Sequence, residues 1–252
     1  MVKEQLLKQW KEEEKNFQLK GWDFSCLDGR MVSSDPPWDY ITIVNSYLKD
    51  SDILLDMGTG GGEVLLEIGH PHKNTYATEA YLPNFKLCQQ KLSPLGITVM
   101  QTFEDDKLPF KDKFFDFIIN RHESFDLTEV NRTLKQGGYF FTQQVINRNL
   151  YELAEILNGK VIQDYANHSI EKYAKTLTQL GFQIIMKDEV VLPTNFFDVG
   201  AVIFYAKAIP WEIQDFSVET HCEKLLTIHK IIEANKFFQA TSGRFLLAAR
   251  KL

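Results

Sequence analysis

The stretch DILLDMGTGGGEVLLEIG, residues 52–69, restricts the possible folds of this chain more than any other. A short, nearly continuous apolar run passes through Asp56 into a glycine-rich loop, and a helical pattern opens at Glu63. Strands of that kind are buried on both faces, and a strand that feeds a helix through a tight loop belongs to a parallel sheet. The alternation then continues. NTYATEA (74–80) reads as a strand, LPNFKLCQQKLSPLG (82–96) as a helix ending in proline and glycine, and ITVMQTF (97–103) as a strand. FFDFIIN (114–120) reads as a strand, DLTEVNRTLKQGG (126–138) as a helix closed by glycine, and YFFTQQV (139–145) as a strand. The pattern predicts an α/β fold with a mostly parallel sheet and helices on both faces.

The flanks are less regular. Residues 2–18 form a polar helical pattern with Leu6, Leu7, Trp10 and Phe17 as its apolar contacts, and the turn-rich GWDFSCLDGRMVSSDPP follows as a loop. Ser34 or Asp35 is placed to cap the helix PWDYITIVNSYL, with proline in its first turn. After residue 146, NLYELAEILNG, SIEKYAKTLTQLG and SVETHCEKLLTIHKIIEAN read as helices, and FQIIMKDEVVL and GRFLLAARK as strands. FFDVGAVIFYAKAI fits a helix or a strand equally well. The expected organisation is an N-terminal helical segment over 1–50 and a main domain over 51–252, with 192–236 inserted between the last two strands.

A net charge of -6 counts against a nucleic-acid partner or an anionic membrane surface. Cys26, Cys88 and Cys222 are sparse, odd in number and far apart, which fits a reducing compartment rather than a disulfide framework. The N-terminus is charged throughout, unlike a secretory signal, and the longest apolar run, VGAVIFYA, is far too short to span a bilayer. These features together predict a cytoplasmic protein.

The glycine loop sits where a ligand meets a strand end and a helix start. A dinucleotide fingerprint needs Gly-x-Gly-x-x-Gly. Gly58 and Gly60 fit it, but the third position is Glu63 and the next glycine, Gly62, comes one residue early. A phosphate loop would need Gly-Lys-Ser/Thr. With Asp56 and Glu63 flanking it and neither lysine nor arginine within it, the loop suits a ligand that carries positive charge. Glu79 ends the second strand about twenty residues on, where an acid in a Rossmann-like domain binds ribose hydroxyls.

Asp56-Met57-Gly58-Thr59-Gly60-Gly61-Gly62 resembles the first motif of class I S-adenosylmethionine-dependent methyltransferases. Further resemblances lie in the strand running into FEDDKLPF and in LKQGGYFF (134–141), in the family's order and spacing over residues 50–145. The resemblance implies a Rossmann-like seven-stranded sheet closed by an antiparallel pair. It implies S-adenosylmethionine as cofactor, held by Asp56, Gly58, Thr59, Gly60 and Gly62, with Glu79 and Ala80 at the ribose and Tyr81 near the adenine. Glu104 or Asp105 would meet the adenine amino group, and Asn120 or Arg121 the methionine end. The fourth strand would present His122 and Glu123 to the methyl group. His122 is compatible with a base, a hydrogen-bond donor or a structural histidine, with Glu123 orienting it. In many family members the N-terminal region is a lid, here the region of Trp22, Phe24, Arg30, Trp38 and Tyr40; packing of the first helices is the alternative. Phe196, Phe197, Tyr205 and Trp211 of the insertion would wall an acceptor pocket or fill a core.

No metal is expected: the helical zinc motif His-Glu-x-x-His fails because residue 126 is Asp126, and His221 and His229 lie eight apart. The acidic balance favours a small-molecule acceptor. An RNA methyltransferase and a non-catalytic S-adenosylmethionine-binding protein stand as alternatives, and Glu63 disfavours a nicotinamide dehydrogenase.

Overall fold

The computed structural model describes residues 2–19, 23–104, 106–159 and 168–252. Its centre is an eight-stranded sheet with the order β1-β7-β8-β6-β5-β2-β3-β4. The strands are β1 (Met31–Ser33), β2 (Leu54–Met57), β3 (Thr75–Glu79), β4 (Thr98–Gln101), β5 (Phe115–Arg121), β6 (Leu134–Val145), β7 (Phe182–Phe196) and β8 (Phe238–Lys251). The run β4-β3-β2-β5-β6 is parallel, while β8, β7 and β1 each pair antiparallel with their neighbours. The sheet therefore has one strand more than the seven expected: Met31–Ser33, read from sequence as loop, adds to the free edge of β7 opposite Thr194–Phe196.

The helices are α1 (Val2–Lys15), α2 (Tyr40–Tyr47), α3 (Glu63–Ile68), α4 (Leu82–Lys91), α5 (Leu127–Thr133), α6 (Tyr151–Asn158), α7 (Ile170–Gln179), α8 (Val199–Ala208) and α9 (Cys222–Asn235). Alternation along each strand divides the core into two layers. Leu54, Phe117, Ile119 and Phe141 pack against α2, α3 and α4 on one face. Leu55, Met57, Ile118 and Phe140 pack against α5 and α7 on the other. The fully buried phenylalanines of β5 and β6 contribute about 1.5–3 kcal/mol each relative to an exposed ring.

Several boundaries differ from expectation, each for a local reason. α2 starts at Tyr40 because Asp39, not Ser34 or Asp35, is its cap, with Oδ1 accepting from the amides of Ile41 and Thr42. α5 stops at Thr133 rather than at the glycines, because Leu134 already pairs with Phe115. Gly138 then lies inside β6, where a Cβ would stand 2.8 Å from the Asp116 carbonyl oxygen. β7 and β8 pair as far as Phe196 and Phe238, so the segment between them is 197–237 rather than 192–236. The ambiguous VGAVIFYAKA is helix α8, capped by Asp198.

A third apolar cluster joins α1, α6, α8 and α9 to the ends of β7 and β8, with Trp10, Leu153, Val202, Leu225 and Phe238 buried in it. Arg30 bonds both Asp198 and Glu13, which ties α1 to the start of α8. The N-terminal segment and the segment between the last strands thus pack on one another beside the cleft described next. Among the described residues, no helix is long and apolar enough to cross a membrane.

Candidate active site

A cleft of about 2000 Å3 opens beyond the carboxyl ends of β2, β3, β5 and β6. Chain order reverses there, since β2 pairs with β3 on one side and β5 on the other, and such switch points leave a crevice in open α/β sheets. Its volume exceeds the roughly 300–1,000 Å3 of a single small-ligand pocket and accommodates two ligands side by side.

The glycine loop forms one end. Gly58 and Gly60 hold φ of +71° and +62°, values open to glycine and costly for other residues. A Cβ on Gly58 would stand 2.2 Å from Glu123 Cγ, so the loop and the end of β5 close on each other only because that position lacks a side chain. The loop amides turn inward. Gly58 and Thr59 donate to the Thr78 carbonyl (3.1 and 3.0 Å), Gly60 to Glu79 Oε2 (2.8 Å) and Gly62 to the Thr59 carbonyl (3.0 Å). The end of β3 takes the amides of Gly58, Thr59 and Gly60, and the loop itself takes that of Gly62, so these four do not face a ligand. Lys91 of α4 reaches the loop too, bonding the Gly61 carbonyl (3.1 Å) and Glu63 (2.6 Å). Sequence reasoning missed it, because the lysine stands far from the loop along the chain.

Asp56 and Glu79 are both buried and both line the cleft. Burial pushes the Asp56 carboxyl up to about 6, against the opposing effects of Thr59 and Arg121. The Thr59 hydroxyl lies close enough to Asp56 to lower its pKa but short of hydrogen-bond geometry, and its oxygen is buried without a partner among the described residues. Glu79 is also raised by burial, although its Oε1 accepts from the Tyr81 amide (2.8 Å) while Oε2 holds Gly60. The Ala80 amide and the Asn84 side chain also approach this carboxylate and oppose the effect of burial. Asn84 of α4 lines the same end, with Oδ1 buried and without a hydrogen-bond partner among the described residues.

The end of β5 supports a polar network. Asn120 is wholly buried and does not line the cleft: Nδ2 donates to the Met57 carbonyl (3.2 Å), and Oδ1 accepts from Thr142 (2.8 Å) and Gln144 (2.5 Å). The Tyr40 hydroxyl donates to the Asn120 carbonyl (3.1 Å). Arg121 is exposed to the cleft and, among the described residues, forms no ion pair. His122 follows in the left-handed region, with φ of +61°. That conformation is strained for a non-glycine residue, and the His122 amide is held there by the Gln143 carbonyl (2.9 Å).

The imidazole faces a deep cleft that solvent still reaches. Loss of bulk water, then Arg244, Arg121 and His168, hold its pKa well below the ordinary value, so the ring is neutral at pH 7. Its tautomer follows from Trp38. The indole N–H is a donor only, and it bonds Gln143 Oε1 (2.8 Å). Gln143 Nε2 therefore faces His122 Nε2 (3.4 Å), which must accept, leaving the proton on Nδ1. Gln143 and Gln144 were not singled out from sequence, although paired glutamines closing the apolar run YFF were the available signal.

The structure brings Asp56, Gly58, Thr59, Gly60, Glu79, Ala80, Arg121, His122 and Glu123 to the cleft. Gly62 caps α3 behind the loop, Glu104 is exposed and away from the cleft, and Asp105 and Trp22 lie outside the described residues. Of the aromatics of 192–236, Tyr205 and Trp211 line the cleft, whereas Phe196 is core and Phe197 packs near Phe237. Among the described residues, no group of three or more His, Cys, Asp or Glu side chains is arranged to hold a metal ion.

A parallel sheet with a glycine loop at its switch point defines a Rossmann-like domain. Residues 55–142, about a third of the chain, match the methyltransferase domain family. An uncharacterized protein of Methanocaldococcus jannaschii is 28% identical over 168 residues, which cover 64% of this chain and 61% of that one. The match thus spans about three fifths of the relative's length. Among solved structures, a functionally unknown protein from Deinococcus radiodurans shares the fold at 14% identity and a TM-score of 0.57, covering 99% of this chain and 98% of that one. A SAM-dependent methyltransferase from Aquifex aeolicus does so at 17% identity and a TM-score of 0.50, covering 92% and 100%.

The residues present fit the cofactor that this family uses. Thr59 and Asn84 line the loop end of the cleft, and each has a buried side-chain oxygen with no hydrogen-bond partner among the described residues. The acids there suit a ligand bearing a sulfonium and an ammonium group.

Proposed function

We propose that this protein moves a methyl group from S-adenosylmethionine to a small-molecule acceptor. The observation that carries the proposal is the glycine loop, whose amides at positions 58, 59, 60 and 62 bond the protein itself while a buried carboxylate stands beside them. A loop for pyrophosphate leaves its amides to the phosphates. This loop instead provides a close, acidic floor for a cation.

Asp56 faces the positive charge of the cofactor. Glu79, at the end of β3, stands at the ribose hydroxyls, with Ala80 and Tyr81 beside the base. Arg121 takes the methionine carboxylate. Asn120 acts one layer back, by fixing the end of β2 through Met57 and the end of β6 through Thr142 and Gln144. The bound cofactor supplies a methyl group already activated on sulfur, so alignment is the main task left to the protein. His122, neutral and protonated on Nδ1, orients the acceptor as a hydrogen-bond donor, and Trp38 and Gln143 set that tautomer. Glu123 packs over Gly58 and joins the two halves of the site.

Carboxylates outnumber cationic side chains along the cleft, which opposes a polyanion such as RNA. The test is a methyl-transfer screen over metabolite and RNA pools, read as S-adenosylhomocysteine formed. Turnover is expected with a metabolite fraction; turnover with RNA alone would overturn the assignment of acceptor class.

A further inference from the structure

Arg244 offers a charge that its surroundings leave partly unused. It stands on β8 opposite Val145 of β6 and Val190 of β7, half-buried in the cleft wall. Its Nη1 donates to Asn149 Oδ1 (3.2 Å), Ser242 Oγ (3.1 Å) and the Gly243 carbonyl (2.8 Å). These bonds fix the plane of the guanidinium. Among the described residues nothing accepts from Nε or Nη2, and no carboxylate forms an ion pair with the group. The acid within electrostatic reach is Glu212, whose carboxyl burial pushes up to about 7, so near neutral pH it offsets the arginine only in part. A half-buried guanidinium without a counter-charge is costly. Nε and Nη2 form the edge that receives both oxygens of one carboxylate or phosphate.

The cleft is also polarised. Asp56, Glu63 and Glu79 gather at the glycine loop, whereas Arg121 stands at the end of β5 and Arg244 midway along β8, opposite the end of β6 that lies between them. Arg121 is level with Leu246, so two strand spacings and a two-residue offset put the backbones of Arg121 and Arg244 roughly 12 Å apart. Arg121 acts on Asp56 and Tyr40, Arg244 acts on Tyr205 and Glu212, and the two arginines also act on each other and on His122. Of the two, Arg121 is the one that reaches Asp56 at the glycine loop, which leaves Arg244 for a second ligand.

We propose that Arg244 binds an anionic group of the methyl acceptor, a carboxylate or a phosphate, through Nε and Nη2, so that the acceptor is an acidic small molecule. This rests on the methyltransferase reading above. The anion stands beyond β6 from the cofactor, and Tyr205 and Trp211 wall that end.

The test uses the full chain and its Arg244→Gln, Arg244→Lys and Arg121→Gln variants, with melting curves recorded for each. Calorimetry with S-adenosylhomocysteine comes first, and malonate, inorganic phosphate and uncharged malonamide are then titrated with and without it. Malonate or phosphate should bind the wild-type chain, at least tenfold more weakly to Arg244→Gln, while malonamide does not bind. Arg244→Lys, which keeps the charge and loses the fork, should fall between, and it carries the comparison if the glutamine variant melts early. Tighter phosphate than malonate assigns a phosphate ester, and the reverse a carboxylic acid. Arg121→Gln should weaken S-adenosylhomocysteine tenfold or more, and Arg244→Gln less than threefold. The proposal is overturned if no anion binds, if malonamide binds like malonate, or if Arg244→Gln loses S-adenosylhomocysteine as Arg121→Gln does. Anion binding without any S-adenosylhomocysteine binding would instead overturn the methyltransferase reading, which keeps the two failures distinct.

Discussion

Replacing Asp56 with asparagine should make the ligand-free protein more stable and the liganded protein less so. In the folded chain the carboxyl sits at about 6 against an ordinary 3.8, mainly because it is buried. A carboxyl with a raised pKa favours the folded state below its unfolded value, and that advantage is lost as pH rises through the folded value. Above pH about 7 the whole difference of about 2 units opposes folding, which corresponds to about 3 kcal/mol at 1.36 kcal/mol per unit. At pH 5 about half of it remains. Asp56→Asn removes the ionisation, so at pH 8 the variant should gain up to about 3 kcal/mol, or roughly 6–12 °C in Tm for a chain of this size. Denaturant or thermal melts at pH 8 and pH 5, without ligand, measure the gain and its decline. With S-adenosylhomocysteine at a thousand times its Kd the order should reverse, because such a ligand adds about 4.1 kcal/mol to the chain that binds it. A variant that is no more stable at pH 8, or that binds S-adenosylhomocysteine as well as the wild type, would refute the placing of Asp56 as a buried charge awaiting a cation.

Gly58→Ala should lower stability by about 1–3 kcal/mol and weaken S-adenosylhomocysteine, since its Cβ meets Glu123 at 2.2 Å and φ is positive; a melt and a titration read both. His122→Ala should leave cofactor affinity within threefold and lower turnover at least tenfold, whereas unchanged turnover would remove His122 from the chemistry. The low pKa of His122 further implies a rate with no histidine-like rise between pH 6.5 and 8, to be checked by a pH profile of kcat/KM. Trp38→Phe removes the donor to Gln143 and should cost about 1–3 kcal/mol of stability while lowering turnover through His122, read by melting and by kcat.

The sheet was legible because β2, β5 and β6 are apolar enough to be buried on both faces, and because glycine marked the loop after β2. What stayed hidden depends on contacts distant in sequence. β1 is too short and polar to show as a strand, and exists because the edge of β7 offers unpaired backbone groups. α5 looked longer because Leu134–Gly138 carries no helix breaker before its glycines, and pairing with β5 decides the boundary instead. At the site, Asp56 and Glu79 could be found from spacing. The inward turn of the loop amides, Lys91 on the Gly61 carbonyl and the Trp38–Gln143–His122 chain could not, since each joins elements that meet only in the folded sheet. Asn120 shows the converse: its position at the end of β5 was right, but strand alternation points its side chain into the network beneath the cleft.

The central claim, that the loop end of the cleft is built for S-adenosylmethionine, is tested most directly by calorimetry of the full chain with S-adenosylhomocysteine and with NAD. The account predicts one S-adenosylhomocysteine bound per chain, loss of that binding in Gly60→Arg, and no heat with NAD. Binding of NAD without S-adenosylhomocysteine would contradict it.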